Sequence, residues 1–252
     1  MQTSALVPSG FAKTGLFIRP GTAVPTRFQV LGERSSGTNY VKRLLGRNTP
    51  LSPVETLGWK HGPLQAMAVP RDMVVLVSVR NPADWALSMF AKPWHTPAAM
   101  QALPFSDFLR APWATILDHP KYFEGAGPAM IGQPLQQDRD PATGLPYDNL
   151  FQLRIGKLRS HLSLINRGCS FVLVRQETAV NTPKEFLHQF RTDLGLPPSD
   201  APLRPVVKRL GARFNAAVQD RPAKPEAIPA PDREYMRETL DLALETALGY
   251  DV

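Results

Sequence analysis

A short apolar run, Phe28-Gln29-Val30-Leu31, ends at Gly32 and opens into Glu33-Arg34-Ser35-Ser36-Gly37-Thr38-Asn39-Tyr40. Beyond it Val41, Leu44 and Leu45 recur at helical spacing, and Gly46 offers a stop. Strand, glycine loop and helix in that order make the basic unit of an open α/β sheet, which constrains the fold more than any other stretch. The loop has the frame G-x-x-x-x-G, in which backbone N–H groups and a helix N-terminus face an anion. A magnesium-dependent NTPase places lysine and Ser/Thr directly after the second glycine, whereas this chain has Thr38 and Asn39. The frame therefore suits an anion, and the missing lysine argues against a magnesium-bound nucleoside triphosphate.

The rest of the chain repeats the alternation of strand and helix. Met73-Val74-Val75-Leu76-Val77-Ser78-Val79 is almost uninterrupted and rich in β-branched residues, as a strand buried on both faces requires. Arg80 ends it, and Asn81-Pro82-Ala83-Asp84 supplies a cap, a first-turn proline and an early acid for a following helix. Phe171 to Val174 reads as a further buried strand, Leu150 to Ile165 and Pro183 to Leu194 as helices, and Asp232 to Leu248 as one final amphipathic helix. Leu57 to His61 reads as a brief extended segment. Residues 1–26 read as an irregular lead-in, and 118–147 and 197–231 as long Pro/Gly-rich loops. The expectation is a single domain over 1–252, with a mostly parallel central sheet flanked by helices in a three-layer, P-loop-like arrangement.

Bulk composition narrows the partners. A length of 252 residues and 43% hydrophobic content suit one α/β domain with a sizeable core. A formal charge of +7 suits an anionic ligand, and the basic residues are scattered rather than gathered in a nucleic-acid arm. Cys169 is the only cysteine, so no intrachain disulfide can form, and it reads as a buried small hydrophobe. No apolar run approaches membrane-spanning length and none resembles a signal peptide, so the expected setting is cytoplasmic. His95, His119, His161 and His188 show no metal-ligand spacing and read as surface or loop residues. Arg154 and Lys157 read as the solvated face of their helix. Glu177 reads as a residue that fixes local structure by pairing or capping.

"FQVLGERSSGTNY" followed by "VVLVSVRNPADWALSMF" resembles the two signature elements of the sulfotransferases, and "FVLVRQETAVNTPKEFLHQFRTDLGLP" resembles that family's late strand, glutamate and helix. The resemblance spans roughly residues 28–195. It implies that the loop, through Arg34, Ser35, Ser36, Gly37, Thr38 and Asn39, holds the 5′-phosphosulfate of 3′-phosphoadenosine 5′-phosphosulfate (PAPS). It implies that Tyr40 stacks on adenine, and that Arg80, with Ser88 eight residues on, holds the 3′-phosphate. PAPS would be a co-substrate, with no metal required, and the acceptor a hydroxyl or amine of a small molecule or glycan.

Such a transfer needs a group to take the acceptor's proton, and imidazole titrates in the useful range. His61, in Trp59-Lys60-His61-Gly62, resembles the residue that supplies the base in cytosolic sulfotransferases. There lysine and histidine are separated by one position; here they are adjacent, and in an extended segment neighbours point to opposite faces. Arg34 stands one place earlier than the family's cation, so either Arg34 or Lys60 is the candidate for the sulfuryl group. Lys208-Arg209-Leu210-Gly211 lies where the family has a late basic segment but matches it poorly. The competing readings are a nucleotide kinase or NTPase, and a nucleotide-binding protein without chemistry.

Overall fold

The computed structural model describes residues 6–207 and 214–252. These fall into two compact units: residues 6–81, 157–207 and 241–251 in the first, and residues 82–156, 214–240 and 252 in the second.

The first unit is built on a five-stranded mixed sheet of order β1-β5-β4-β2-β3. Its strands are β1 (Leu16–Arg19), β2 (Arg27–Leu31), β3 (Ser52–Pro53), β4 (Met73–Val79) and β5 (Ser170–Arg175). β3, β2, β4 and β5 run parallel, and β1 pairs antiparallel with β5 at the edge. Strand side chains alternate between faces, and the core divides accordingly. Met73, Val75, Val77, Val79, Phe171 and Leu173 pack with Leu158, Leu162, Leu244 and Leu248 on one face. Phe28, Val30, Val74, Leu76, Val172 and Val174 pack with Val41, Leu44, Leu45, Phe186 and Phe190 on the other. Helices therefore flank both faces: α2 (Thr38–Asn48), α7 (Gln176–Asn181) and α8 (Pro183–Asp193) on one side. On the other lie α1 (Phe11–Thr14), α10 (Leu242–Ala247) and the end of α6 (Leu150–Leu162). Burial on both faces explains why β4 reads as an almost uninterrupted apolar run, broken only by Ser78.

The second unit contains α3 (Pro82–Ala91), α4 (Ala98–Gln101), α5 (Phe105–Arg110), the first part of α6 and α9 (Ala230–Thr239). Trp85, Phe90, Phe108, Trp113, Leu150, Phe151 and Met236 form its core. Arg221 donates to the carbonyls of Phe90, Ala91 and Gln101, satisfying carbonyls at the ends of α3 and α4.

Several local expectations are corrected. The lead-in is partly regular, because Gly10 and Gly15 at φ 86° and 66° bracket α1, and Leu16 to Arg19 gains ladder partners on β5. Helix α2 runs through Gly46 and ends at Thr49, whose N–H and hydroxyl both donate to the Leu45 carbonyl just before Pro50. Leu57 to His61 is a turn, not an extended segment, and the short strand lies earlier, at Ser52–Pro53. The single final helix is two, because Leu240 is extended and Asp241 caps α10 by accepting from the Leu244 N–H at 3.1 Å. Residues 118–147 contain three short 3₁₀ turns, at Pro120–Tyr122, Pro128–Met130 and Gln136–Asp138. Arg154 and Lys157 are not solvated but 0% and 3% exposed, and His95 and His161 are buried at 6% and 1%. Cys169 is buried, as expected. Lys208 to Gly211 lies outside the described residues.

Candidate anion-binding and catalytic site

The C-terminal ends of β2, β4 and β5 carry three adjoining segments: the loop 32–37, Arg80-Asn81, and Arg175 to Glu177. That end of a parallel sheet is where open α/β proteins bind ligands. Gly32 adopts φ 151° and Gly37 φ 89°, and between them Ser35 takes φ 64°. A left-handed serine costs about 1–2 kcal/mol and persists only where its surroundings hold it. Here they do. The Ser36 N–H and hydroxyl both donate to the Glu33 carbonyl, at 3.2 and 2.7 Å. The Ser78 hydroxyl on β4 donates to the Ser36 carbonyl at 2.7 Å, and Arg80 Nη1 donates to the Ser35 carbonyl at 3.1 Å. With its carbonyls held from behind, the loop leads into the first turn of α2, where the Tyr40 and Val41 N–H groups already donate to the Gly37 carbonyl at 2.9 and 3.0 Å, so the helix N-terminus meets the loop at Thr38 and Asn39. Alternating backbone hands of this kind gather N–H groups on one side, which suits an anion.

The predicted loop residues separate into different roles. Ser36 is fully buried and its hydroxyl serves the loop itself. Thr38 is buried, whereas Asn39 is exposed and accepts from Lys60 Nζ at 2.8 Å. The Tyr40 hydroxyl reaches the Ala179 carbonyl at 3.4 Å while its ring packs on the core beneath α2. Burial raises the Tyr40 pKa. Arg80 joins the loop directly. Ser88 lies on α3 in the second unit, partly buried. Glu177 accepts from the Asn81 N–H at 2.9 Å and from the Tyr250 hydroxyl at 3.1 Å, a structural clamp on the chain leaving β4.

The turn 59–62 docks against the start of the loop. The Gly32 N–H donates to the Lys60 carbonyl at 3.0 Å, and His61 Nδ1 lies 2.7 Å from the Gly32 carbonyl. A carbonyl only accepts, so Nδ1 carries the proton and Nε2 of the neutral ring carries the lone pair. Burial, then the charge of Lys60, holds the His61 pKa well below its usual 6.5. The ring is therefore neutral at pH 7 and equipped to accept a proton. Because the segment is a turn, Lys60 and His61 are not alternating strand neighbours. Their backbone and side chain both address the loop, Lys60 through Asn39 and His61 through Gly32. Burial also lowers the Lys60 pKa, with Glu55 opposing it.

Arg34 is 5% exposed, and its guanidinium lies 5.5 Å from the centroid of the Trp59 ring. The Trp59 ring in turn meets His61 edge-on at 5.3 Å. Lys157 approaches the same indole at 5.7 Å. Lys157, His161 and Gln176 escape a reading of motifs. Gln176 packs against Gly37 so closely that a Cβ there would stand 2.6 Å from Gln176 Cγ. Lys157 and His161 follow Arg154 at i, i+3 and i+7 on α6, a polar stripe beside Leu153 on one side and Phe151, Leu158 and Leu162 on the other. Apolar residues on both sides of a polar stripe are the signal that it is buried.

A cavity of about 260 Å³, lined by Thr22, Arg71, Arg167, Cys169 and Ser170 among others, lies beside the N-terminal end of β5, away from this site. Among the described residues no group of His, Cys, Asp and Glu is placed to hold a metal ion, and no helix is long and apolar enough to cross a membrane. No family model, no curated protein and no solved structure matches the chain. The chemistry of the site therefore rests on its own geometry.

Proposed function

We propose that this chain is a sulfotransferase on a P-loop-like scaffold, moving a sulfuryl group from PAPS to a hydroxyl or amine of a small-molecule or glycan acceptor. One observation carries the reading: a neutral imidazole, His61, is hydrogen-bonded by its Nδ1–H to the first residue of an anion-suited loop that lacks the NTPase lysine. The kinase and NTPase readings want a lysine on the β- and γ-phosphates.

In this mechanism the acceptor oxygen attacks sulfur in line while its proton passes to His61 Nε2. The new S–O bond forms as the bridging S–O bond breaks, and 3′-phosphoadenosine 5′-phosphate leaves with that electron pair. The protein's work is positioning and charge neutralisation. Backbone N–H groups of the loop and α2 bind the 5′-phosphosulfate, Arg34 and Lys60 supply cations beside it, and Arg80 takes the 3′-phosphate. An anionic donor next to His61 stabilises the imidazolium and raises its depressed pKa toward neutrality, which strengthens the base once the donor is bound.

The test is binding and transfer together. 3′-Phosphoadenosine 5′-phosphate at a hundred times its Kd stabilises the protein by about 2.7 kcal/mol in a thermal-shift assay. Radiolabelled sulfuryl transfer to a panel of phenols, amines and glycans is lost in His61→Ala, which still binds the bisphosphate. Stabilisation by ATP–Mg²⁺ but not by the bisphosphate overturns the assignment, and unchanged transfer in His61→Ala removes His61 as the base.

A further inference from the structure

Helix α6 also contacts the turn that carries His61. Lys157 and His161 are one turn apart on the same face of α6, and both are buried. Lys157 Nζ lies against the Trp59 ring, and His161 Nε2 is 3.0 Å from the Gly62 carbonyl. Since the carbonyl accepts, Nε2 carries the proton and Nδ1 is an acceptor; that Nδ1 is buried and finds no hydrogen-bond donor among the described residues. Burial and the neighbouring Lys157 charge lower the His161 pKa to about 4, so this tautomer persists across the neutral range. The Gly62 N–H closes the turn by donating to the Trp59 carbonyl at 2.8 Å. The turn is thus tied at two points, to Gly32 through Lys60 and His61 and to His161 through Gly62.

We propose that His161 is a positioning residue for His61: its Nε2–H anchors the Gly62 carbonyl, and the anchored turn presents the His61 ring with Nδ1–H on Gly32 and Nε2 available. The link is direct in the chain, because Gly62 follows His61 and its carbonyl is buried. Without a donor, that buried carbonyl is relieved only if the turn rotates toward water. Rotation of the turn displaces the imidazole and breaks its bond to Gly32. The consequence for proton transfer rests on the sulfotransferase reading. The consequence for the ring's tautomer does not.

The experiment compares His161→Gln, whose amide N–H reaches as far as Nε2, with His161→Asn, which is one methylene shorter and falls short of Gly62. Nitrogen-15 spectra of the imidazoles at neutral pH report the tautomer of His61. The parent and His161→Gln show His61 in one form, protonated on Nδ1, whereas His161→Asn shows a mixture of both tautomers. In the transfer assay His161→Asn lowers kcat about 10- to 100-fold with an unchanged KM for PAPS, and His161→Gln recovers most of the loss. A single Nδ1–H tautomer in folded His161→Asn overturns the proposal, as does a mixture in His161→Gln or failure of that variant to fold. A tautomer change in a protein that transfers no sulfuryl group refutes the proposed function and leaves the positioning role standing.

Discussion

Replacing glycine by alanine at two positions of the same strand-loop-helix unit tests the loop geometry by giving effects of opposite sign. At Gly32 the backbone has φ 151°, and an added Cβ would stand 2.5 Å from the Ser78 carbonyl oxygen and 2.8 Å from Ser36 Oγ. Neither neighbour can withdraw. Ser78 lies within the β4–β5 ladder, paired with Val174, and the Ser36 hydroxyl is held on the Glu33 carbonyl. Backbone strain of about 1–3 kcal/mol and overpacking of about 1–3 kcal/mol together predict that Gly32→Ala destabilises by roughly 2–6 kcal/mol. Gly46 is exposed on α2, and the nearest atom to its added Cβ is Pro53 Cγ at 3.8 Å, an ordinary contact. There the better helix propensity of alanine predicts a gain of about 0.5–1 kcal/mol. Urea unfolding is followed by tryptophan fluorescence and by far-UV circular dichroism, because two compact units need not unfold as one. A Gly32→Ala variant within about 0.5 kcal/mol of the parent would refute the argument that Ser78 and Ser36 close the space above Gly32.

Two further outcomes follow from individual contacts. The pKa values of His61 and His161 are lowered by burial, that of His161 to about 4. The unfolded chain therefore binds more protons below pH 6.5, and stability falls as pH drops from 6.5 toward 4. The His161 share is on the order of 3 kcal/mol over that window. Urea titrations at pH 7 and 4.5 show a smaller loss in His161→Gln than in the parent, and equal slopes contradict the burial argument. Asp241→Ala removes the cap on the Leu244 N–H and the carboxylate that accepts from Arg159 Nη2 at 2.8 Å. It lowers stability by about 0.5–2 kcal/mol, and amide exchange speeds selectively in α10; a change spread evenly over the unit argues against a local cap.

The α/β class and three of the five strands are legible in the amino-acid order because β2, β4 and β5 are covered on both faces. A strand buried on both faces is apolar at most positions, its few polar side chains such as Gln29 and Ser78 being hydrogen-bonded, and that pattern survives without knowledge of its neighbours. β1 and β3 are not legible in the same way. Leu16 to Arg19 is extended because β5 offers it a ladder, and Ser52-Pro53 has two residues and both are exposed. The division of the last helix also escaped periodicity, since Leu240 and Leu244 keep helical spacing across a break that Asp241 enforces. In the candidate site, the glycine frame, Arg80 and His61 stand out as residue types in order. Lys157 and His161 do not, because a cation or imidazole on a helix looks solvated until a second element covers it.

Local chemistry alone specified a buried strand ending in a glycine loop at a helix start, a second strand ending in arginine, and a histidine between them. Those features depend on neighbours within a few residues, where sterics and periodicity act. The tertiary structure decided which groups meet: Arg80 on the Ser35 carbonyl, Lys60 on Asn39, His61 on Gly32, and His161 on Gly62. The partners in those contacts are 21 to 99 residues apart in the chain. A directional bond over such a separation is set by sheet register and helix packing, and the tautomer that makes His61 a proton acceptor follows from one of them.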